Sequence, residues 1–281
     1  MNKKRWLIAM LSVNALLLLI FILSFLSAGN VEKKKSVQTA LLNLNKIPDI
    51  RSVEFSGDGQ SVILEKKGNV WTGTDSASGS LWPADLQTVA NFIEKFADVI
   101  TVYERASSEE DWKKFLLDEK NAFRVCIKNQ DGEAISNLFF GMTDSLSQRI
   151  YFRAGSGKSV YETQAAMSSF LNASAAFWCD PFVYPQAITG YERTKEESLL
   201  RHGQLVEFDT SGLEPYWTFV KRLENGSSCS FNVYKNEEDY TVIPKLIPGP
   251  AFSDEDVTAL REINYKYNMS QWTFERFLEE R

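Results

Sequence analysis

The sequence predicts an α+β chain: an N-terminal transmembrane helix, then antiparallel meanders with packed helices, in two related halves. Three observations predict it. Residues 7–28 carry no charge. From Val53 onward, short runs alternate apolar and polar residues between Gly- and Asp-rich turn signals. Amphipathic helical stripes follow the strand runs twice, which sets helices against sheets.

The anchor comes first. A helix needs about 20 apolar residues to cross the hydrocarbon core. Residues 7–28 supply 22, with Ser12, Asn14, Ser24 and Ser27 the only polar members. Leu7, Leu17, Leu18, Ile20, Phe21, Phe25 and Ala28 are the expected membrane-spanning residues, in contact with lipid. A cleaved signal peptide would have an apolar stretch of only about 7–15 residues and a small-residue cleavage site. Leu26-Ser27-Ala28 is a poor site, and the length favours an uncleaved anchor. Lys3, Lys4 and Arg5 precede it, and Lys33, Lys34 and Lys35 follow it. The flanks are nearly balanced, but a short basic tail stays in the cytoplasm while long domains translocate largely regardless of charge. Residues 30–281 are therefore expected on the extracytoplasmic, periplasmic side. The second lysine cluster opposes this orientation, or else meets lipid headgroups.

Residues 1–29 are read as membrane anchor and 30–48 as juxtamembrane connector, open to helix formation, with an apolar patch at Leu41, Leu42 and Leu44. Residues 49–183 form a first α+β domain. Val53 and Phe55, then Val62 and Leu64, then Val70 and Trp71 read as a three-strand meander turning at Gly57-Asp58-Gly59. Pro83 and Asp85 open a helix whose stripe is Leu86, Val89, Ile93 and Phe96. Ser107 or Ser108 caps a short helix carrying Trp112, Phe115 and Leu116. Phe123, Val125 and Ile127 pair through Asp131-Gly132 with residues 134–140. Ile150 and Phe152, then Val160 and Tyr161, are further strands, and 164–171 is a short helix.

Pro181 and Pro185 mark a boundary, and residues 184–281 form a second α+β domain. Its strands are 204–208, 217–222, Cys229 to Val233 after the Asn225-Gly226 turn, and 240–243. Ser253 and Asp256 have capping-box spacing before the stripe Val257, Leu260 and Ile263. Ser270 caps a last helix with Phe274, Phe277 and Leu278 inward.

Composition excludes several classes. Seven Trp, ten Tyr and nineteen Phe argue against disorder. Three Cys are too few for a disulfide scaffold. A net charge of −6 argues against nucleic-acid binding.

The motifs that resemble chemistry fail on context. Gly155-Ser156-Gly157-Lys158-Ser159 resembles the end of a phosphate-binding loop, but Phe152 stands where the first Gly belongs and a strand follows, so a hairpin turn is expected and no nucleotide. Arg201-His202-Gly203 resembles a histidine-phosphatase signature, yet the chain has one His and the second is required. Cys126, Cys179 and Cys229 have no C-x-x-C spacing, so buried thiols are the default. Tyr265 and Tyr267 suit a binding rim or, with better odds, the core. No catalytic, cofactor-binding or metal-ligating residue is assigned.

A resemblance rests on the order of short motifs: Trp71, Pro83-Ala84-Asp85, Trp112-Lys113-Lys114-Phe115, Phe140-Gly141, Arg149-Ile150-Tyr151-Phe152-Arg153, Val160-Tyr161, Trp178, Asp180 and Pro185. In that order they resemble the bacterial family known as domain of unknown function 4340, over roughly residues 50–187. The resemblance implies a membrane-anchored envelope protein, an accessory to a complex such as an ABC-type transporter or gliding machinery. It carries no catalytic residues.

The expectation is therefore a single-pass, membrane-anchored extracytoplasmic protein, without enzymatic activity or cofactor, that binds a protein partner in an envelope complex. The alternative is an envelope hydrolase or ligand-binding protein acting through carboxylates and aromatics. A third reading is a tethered spacer with neither site nor partner.

Overall fold

The computed structural model describes residues 36–76, 78–144, 146–190, 199–236 and 239–279. Leu7, Leu17, Leu18, Ile20, Phe21, Phe25 and Ala28, and with them the anchor, lie outside the described residues. No helix among the described residues is long and apolar enough to cross a membrane.

The predicted α+β class is corrected: antiparallel sheet dominates. Strands β1 (Ser36–Thr39), β2 (Ser52–Gly57), β3 (Gln60–Lys67), β4 (Val70–Asp75), β5 (Trp82–Pro83), β6 (Ile100–Ala106), β7 (Phe123–Lys128), β8 (Ala134–Asp144), β9 (Arg149–Ala154) and β10 (Val160–Gln164) form one ten-stranded sheet. Its order is β1-β6-β10-β9-β8-β7-β2-β3-β4-β5. A second sheet holds four strands, β11 (Trp217–Arg222), β12 (Ser228–Asn236), β13 (Asp239–Ile247) and β14 (Tyr267–Ser270), in that order. The two halves are thus not related copies.

Period-2 patterning marks strands but not their partners. The long-range pairings β2–β7 and β6–β10 fuse what read as separate meanders into one sheet. Among the described residues the three longest helices are α1 (Leu86–Ala97), α2 (Asp254–Glu262) and α3 (Gln271–Glu279). The helices expected after Ser108 and near Gln164 are short 3-10 turns, Glu109–Phe115 and Ala165–Phe170. Residues 204–208 make one isolated bridge, Leu205 to Tyr267, instead of a strand.

Each helix is placed by its sequence. Asp85 caps α1, its Oδ1 accepting the N–H groups of Gln87 and Thr88 at 3.1 and 3.4 Å. Val89, Phe92 and Phe96 face inward, with Phe92 edge-on to Phe55 and Trp178 and Phe96 edge-on to Phe140. Each such buried ring contributes about 2 kcal/mol through area removed from water. In the second sheet, Phe231 and Phe219 pack against Phe277 of α3, and Tyr240 stacks on Phe274.

Helix α2 ties the sheets together. The capping box is present: Ser253 Oγ accepts the Asp256 N–H, and Asp256 Oδ2 accepts the Ser253 N–H and hydroxyl at 3.3 and 2.8 Å. The other oxygen, Oδ1, accepts the Asn69 N–H at 2.7 Å from the β3–β4 turn of the large sheet. Gly68 makes this approach possible: its φ is +59°, and a Cβ there would lie 2.4 Å from Asp256 Oδ1. One hydrophobic core runs through both sheets, from Val53 and Phe55 to Phe231 and Tyr267.

The connector also differs from expectation. Residues 36–39 form β1 and 44–49 a 3-10 turn; Leu41 and Leu42 are buried while Leu44 is exposed. Leu42 is drawn in because its N–H donates to Phe96 O at 2.8 Å.

Candidate functional site

The large sheet has two covered faces. Residues Leu138, Phe140, Ile150 and Phe152 point to the main core. On the opposite face, Leu117, Ala122, Phe139 and Val160 form a smaller cluster roofed by the segment around Trp112 and Phe115. Leu116, left-handed at φ 56°, ends that 3-10 turn, and its N–H bonds back to Lys113 and Trp112. Gly141 lets the turn settle onto β8, for a Cβ there would lie 2.0 Å from Phe115 O.

Under this roof a single cross-strand rung brings two arginines together. Arg124 on β7 pairs with Phe139 on β8, and Phe139 pairs with Arg153 on β9. Registered neighbours share a face, so both guanidinium groups converge on one ring. They lie 5.9 Å (Arg124) and 3.7 Å (Arg153) from the Phe139 centroid. Trp112 covers Arg153 from the other side at 3.9 Å, completing an aromatic sandwich.

Arg153 is only 1% exposed. Its Nε donates to Leu117 O and its Nη1 to Gly155 O, both at 2.9 Å. Among the described residues no carboxylate lies within 4 Å of it. Burial lowers its pKa, opposed by the charges of Glu119 and Glu109. The residue lines an open cavity of about 660 Å³ together with Arg124, Lys120, Glu119 and the Ser56–Gln60 turn.

Two positions along β9, the same face carries a different arrangement. Glu162 on β10 is 2% exposed and bonds to both Arg105, at 2.5 Å, and Arg149. Burial raises the Glu162 carboxyl, but hydrogen bonds from Arg105 and Arg149 outweigh it and hold the pKa below the usual range. This buried acid is matched by two cations and is structural.

At the start of the described chain, β1 lies at the sheet edge, paired with β6 alone, and all four of its residues are exposed. Beside it runs a mainly apolar groove of about 650 Å³, lined by Val37, Leu41, Val102, Ile135, Leu138 and Phe152 among others.

The other sequence candidates have plain structural places. Residues 154–158 turn between β9 and β10, with the Gly157 N–H on Ala154 O at 3.0 Å. His202 stacks on Tyr267 at 4.4 Å, and its ring nitrogens sit 2.7 Å from Gly203 O and Asp180 O. Burial lowers its pKa, while the two carbonyl contacts raise it. Tyr265 and Tyr267 are fully buried, which pushes both phenols well up. Cys126, Cys179 and Cys229 are buried thiols. No group of three or more potential metal ligands occurs among the described residues.

The motifs whose order suggested a family meet in this structure: Trp112 covers Arg153, Phe115 packs on Tyr151 at 4.7 Å, and Gly141 admits the turn that carries them. Residues 71–195 match the family model described as a domain of unknown function, DUF4340. This segment is similar to the DUF4340 family. No curated protein and no solved structure matches the chain.

The DUF4340 match begins at Trp71 in β4, later than the expected start near residue 50, and runs on to 195. Trp112, Phe139 and Arg153 lie inside it. Strands β2 and β3 precede it yet pair into the same sheet, so the folded unit is larger than the matched segment. Beyond the Trp112 and Arg153 motifs, no local signal points to the Arg124–Phe139–Arg153 rung, because register across three strands is not a local property.

Proposed function

We propose that the protein is a membrane-tethered accessory subunit of an envelope complex, without catalysis of its own. Residues 7–28 anchor it, residues 30–281 stand on the extracytoplasmic side, and β1 with its groove receives an extended segment of a membrane-protein partner. The supporting observation is the position of β1. Its outer edge, unpaired among the described residues, offers backbone donors and acceptors to an added strand, and Val37 is 52% exposed at the groove mouth. Seven residues separate Ala28 from Ser36. Fully extended, they reach at most about 30 Å, so β1 stays within reach of a partner embedded in the same bilayer. A strand added there gains its affinity from main-chain hydrogen bonds and its specificity from alternate side chains in the groove.

The test is photo-cross-linking in native membranes from a probe at Val37, with a second probe at the distant, 96% exposed Leu146 as control. An adduct with a membrane-embedded polypeptide from position 37 alone, suppressed by Ser36→Pro or Gln38→Pro, is expected. Adducts of equal yield from both positions, or only the protein itself, would overturn the docking edge. Protease accessibility in intact cells checks the orientation separately: digestion of residues 30–281 only after the membrane is opened from the cytoplasmic side would refute it.

A further inference from the structure

We propose that the cavity beneath Trp112 is a binding site for a small molecule bearing a carboxylate or phosphate group, held by Arg153 with Arg124 and Lys120 at its side. The argument begins with what Arg153 lacks. A guanidinium has five N–H donors. Leu117 O and Gly155 O take two of them, which suffices to latch the roof segment onto the sheet. The remaining three have no protein acceptor among the described residues, and the residue lines an open, polar cavity.

Burying a charge is costly unless it is paired and hydrogen-bonded. The same sheet shows how this chain meets that cost when the purpose is structural, for Glu162 is buried between Arg105 and Arg149. At Arg153 no such acid is supplied among the described residues. Instead a second guanidinium, Arg124, is brought to the same Phe139 ring, which concentrates positive charge. Arg124 is only partly engaged: its Nε donates to Asn137 Oδ1 at 3.0 Å, and Glu54 lies 3.8 Å from Nη1. The lining carries Arg124, Arg153 and Lys120 against Asp58 and Glu119.

The Trp112 and Phe139 rings fix the plane of Arg153, so its free N–H groups are oriented before anything binds. A held fork donates to two oxygens of one group in parallel, and less side-chain freedom is lost on binding. Carboxylate and phosphate both present such a pair of oxygens. The site does not depend on the membrane tether or on the β1 edge.

The experiment is thermal unfolding of the full-length protein in detergent, at constant ionic strength, titrated with inorganic phosphate or with malonate, each variant read against its own unliganded melting temperature. A ligand that binds only the folded state raises that temperature saturably. At least one of the two anions is expected to do so, and to slow amide exchange in residues 109–122. Phosphate alone identifies phosphate compounds, malonate alone identifies carboxylates, and either supports the site. Arg153→Lys keeps the charge and loses the fork, so the apparent affinity falls about tenfold or more, the effect of one charge-assisted hydrogen bond. Arg124→Gln and Lys120→Gln weaken it in the same direction. Should Arg153→Lys fail to fold, these two variants carry the test. No saturable shift with either anion, or an unchanged affinity in the variants, would reduce Arg153 to a structural latch and overturn the proposal.

Discussion

Asp256→Ala probes the joint between the two sheets. The wild-type carboxylate is 4% exposed and accepts from the Asn69 N–H at 2.7 Å, the Ser253 hydroxyl at 2.8 Å and the Ser253 N–H at 3.3 Å. A hydrogen bond to a charged acceptor contributes about 1.5–3 kcal/mol net, and a lost helix cap about 1 kcal/mol. These bonds share one carboxylate and do not add fully, so the substitution is expected to cost about 3 kcal/mol at pH 7. That is a large part of the roughly 5–15 kcal/mol that holds a domain folded. Urea unfolding measures it as a lower midpoint with an unchanged slope.

Acid supplies a second check. Burial raises the Asp256 carboxyl, but the Asn69 N–H and Ser253 bonds outweigh it and set the folded pKa below the usual value. A lowered folded pKa stabilises fully above the unfolded value of about 3.9 and is lost as pH falls through the folded one. The gap between wild type and Asp256→Ala therefore narrows below about pH 4. A penalty under about 0.5 kcal/mol at pH 7, or one that widens in acid, would refute this account of how the sheets are joined.

Two further outcomes follow from the large sheet. Glu162→Gln leaves Arg105 and Arg149 facing a neutral amide in a buried site, and the cost is expected at about 3 kcal/mol by urea unfolding; because the Glu162 pKa is lowered, this difference too shrinks as pH falls through the folded carboxyl value, and stability equal to wild type at pH 7 would contradict it. Gly141→Ala puts a methyl 2.0 Å from Phe115 O, so we expect about 2 kcal/mol of destabilisation with faster amide exchange confined to residues 109–117; an unchanged exchange pattern would show that Gly141 does not seat that turn.

Much of the local structure could be read from residue order. Asp85, Ser108, Ser253 and Ser270 all act as caps, since a cap depends on residues two or three positions away. The Asn225-Gly226 and Asp131-Gly132 turns connect paired strands for the same reason. The helix type after Ser108 was not readable, because Leu116 and the docking of Phe115 on Tyr151 close the turn early. Residues 204–208 alternate like a strand, but the only bridge open to them is Leu205 to Tyr267.

The sequence by itself determined the chain's uncharged segment at residues 7–28, most of its strand and cap positions, and, through the order of short motifs, the resemblance to the DUF4340 family. These are properties of neighbours along the chain. Only the tertiary structure decided that ten strands form one sheet, that α2 ties it to the four-stranded one, and that Arg124 and Arg153 share the Phe139 ring. The sheet and the arginine rung depend on register between strands, and the α2 joint on a hydrogen bond between residues far apart in the chain. A shift of one residue turns every side chain to the opposite face, so no reading of local pattern could place two arginines on one rung.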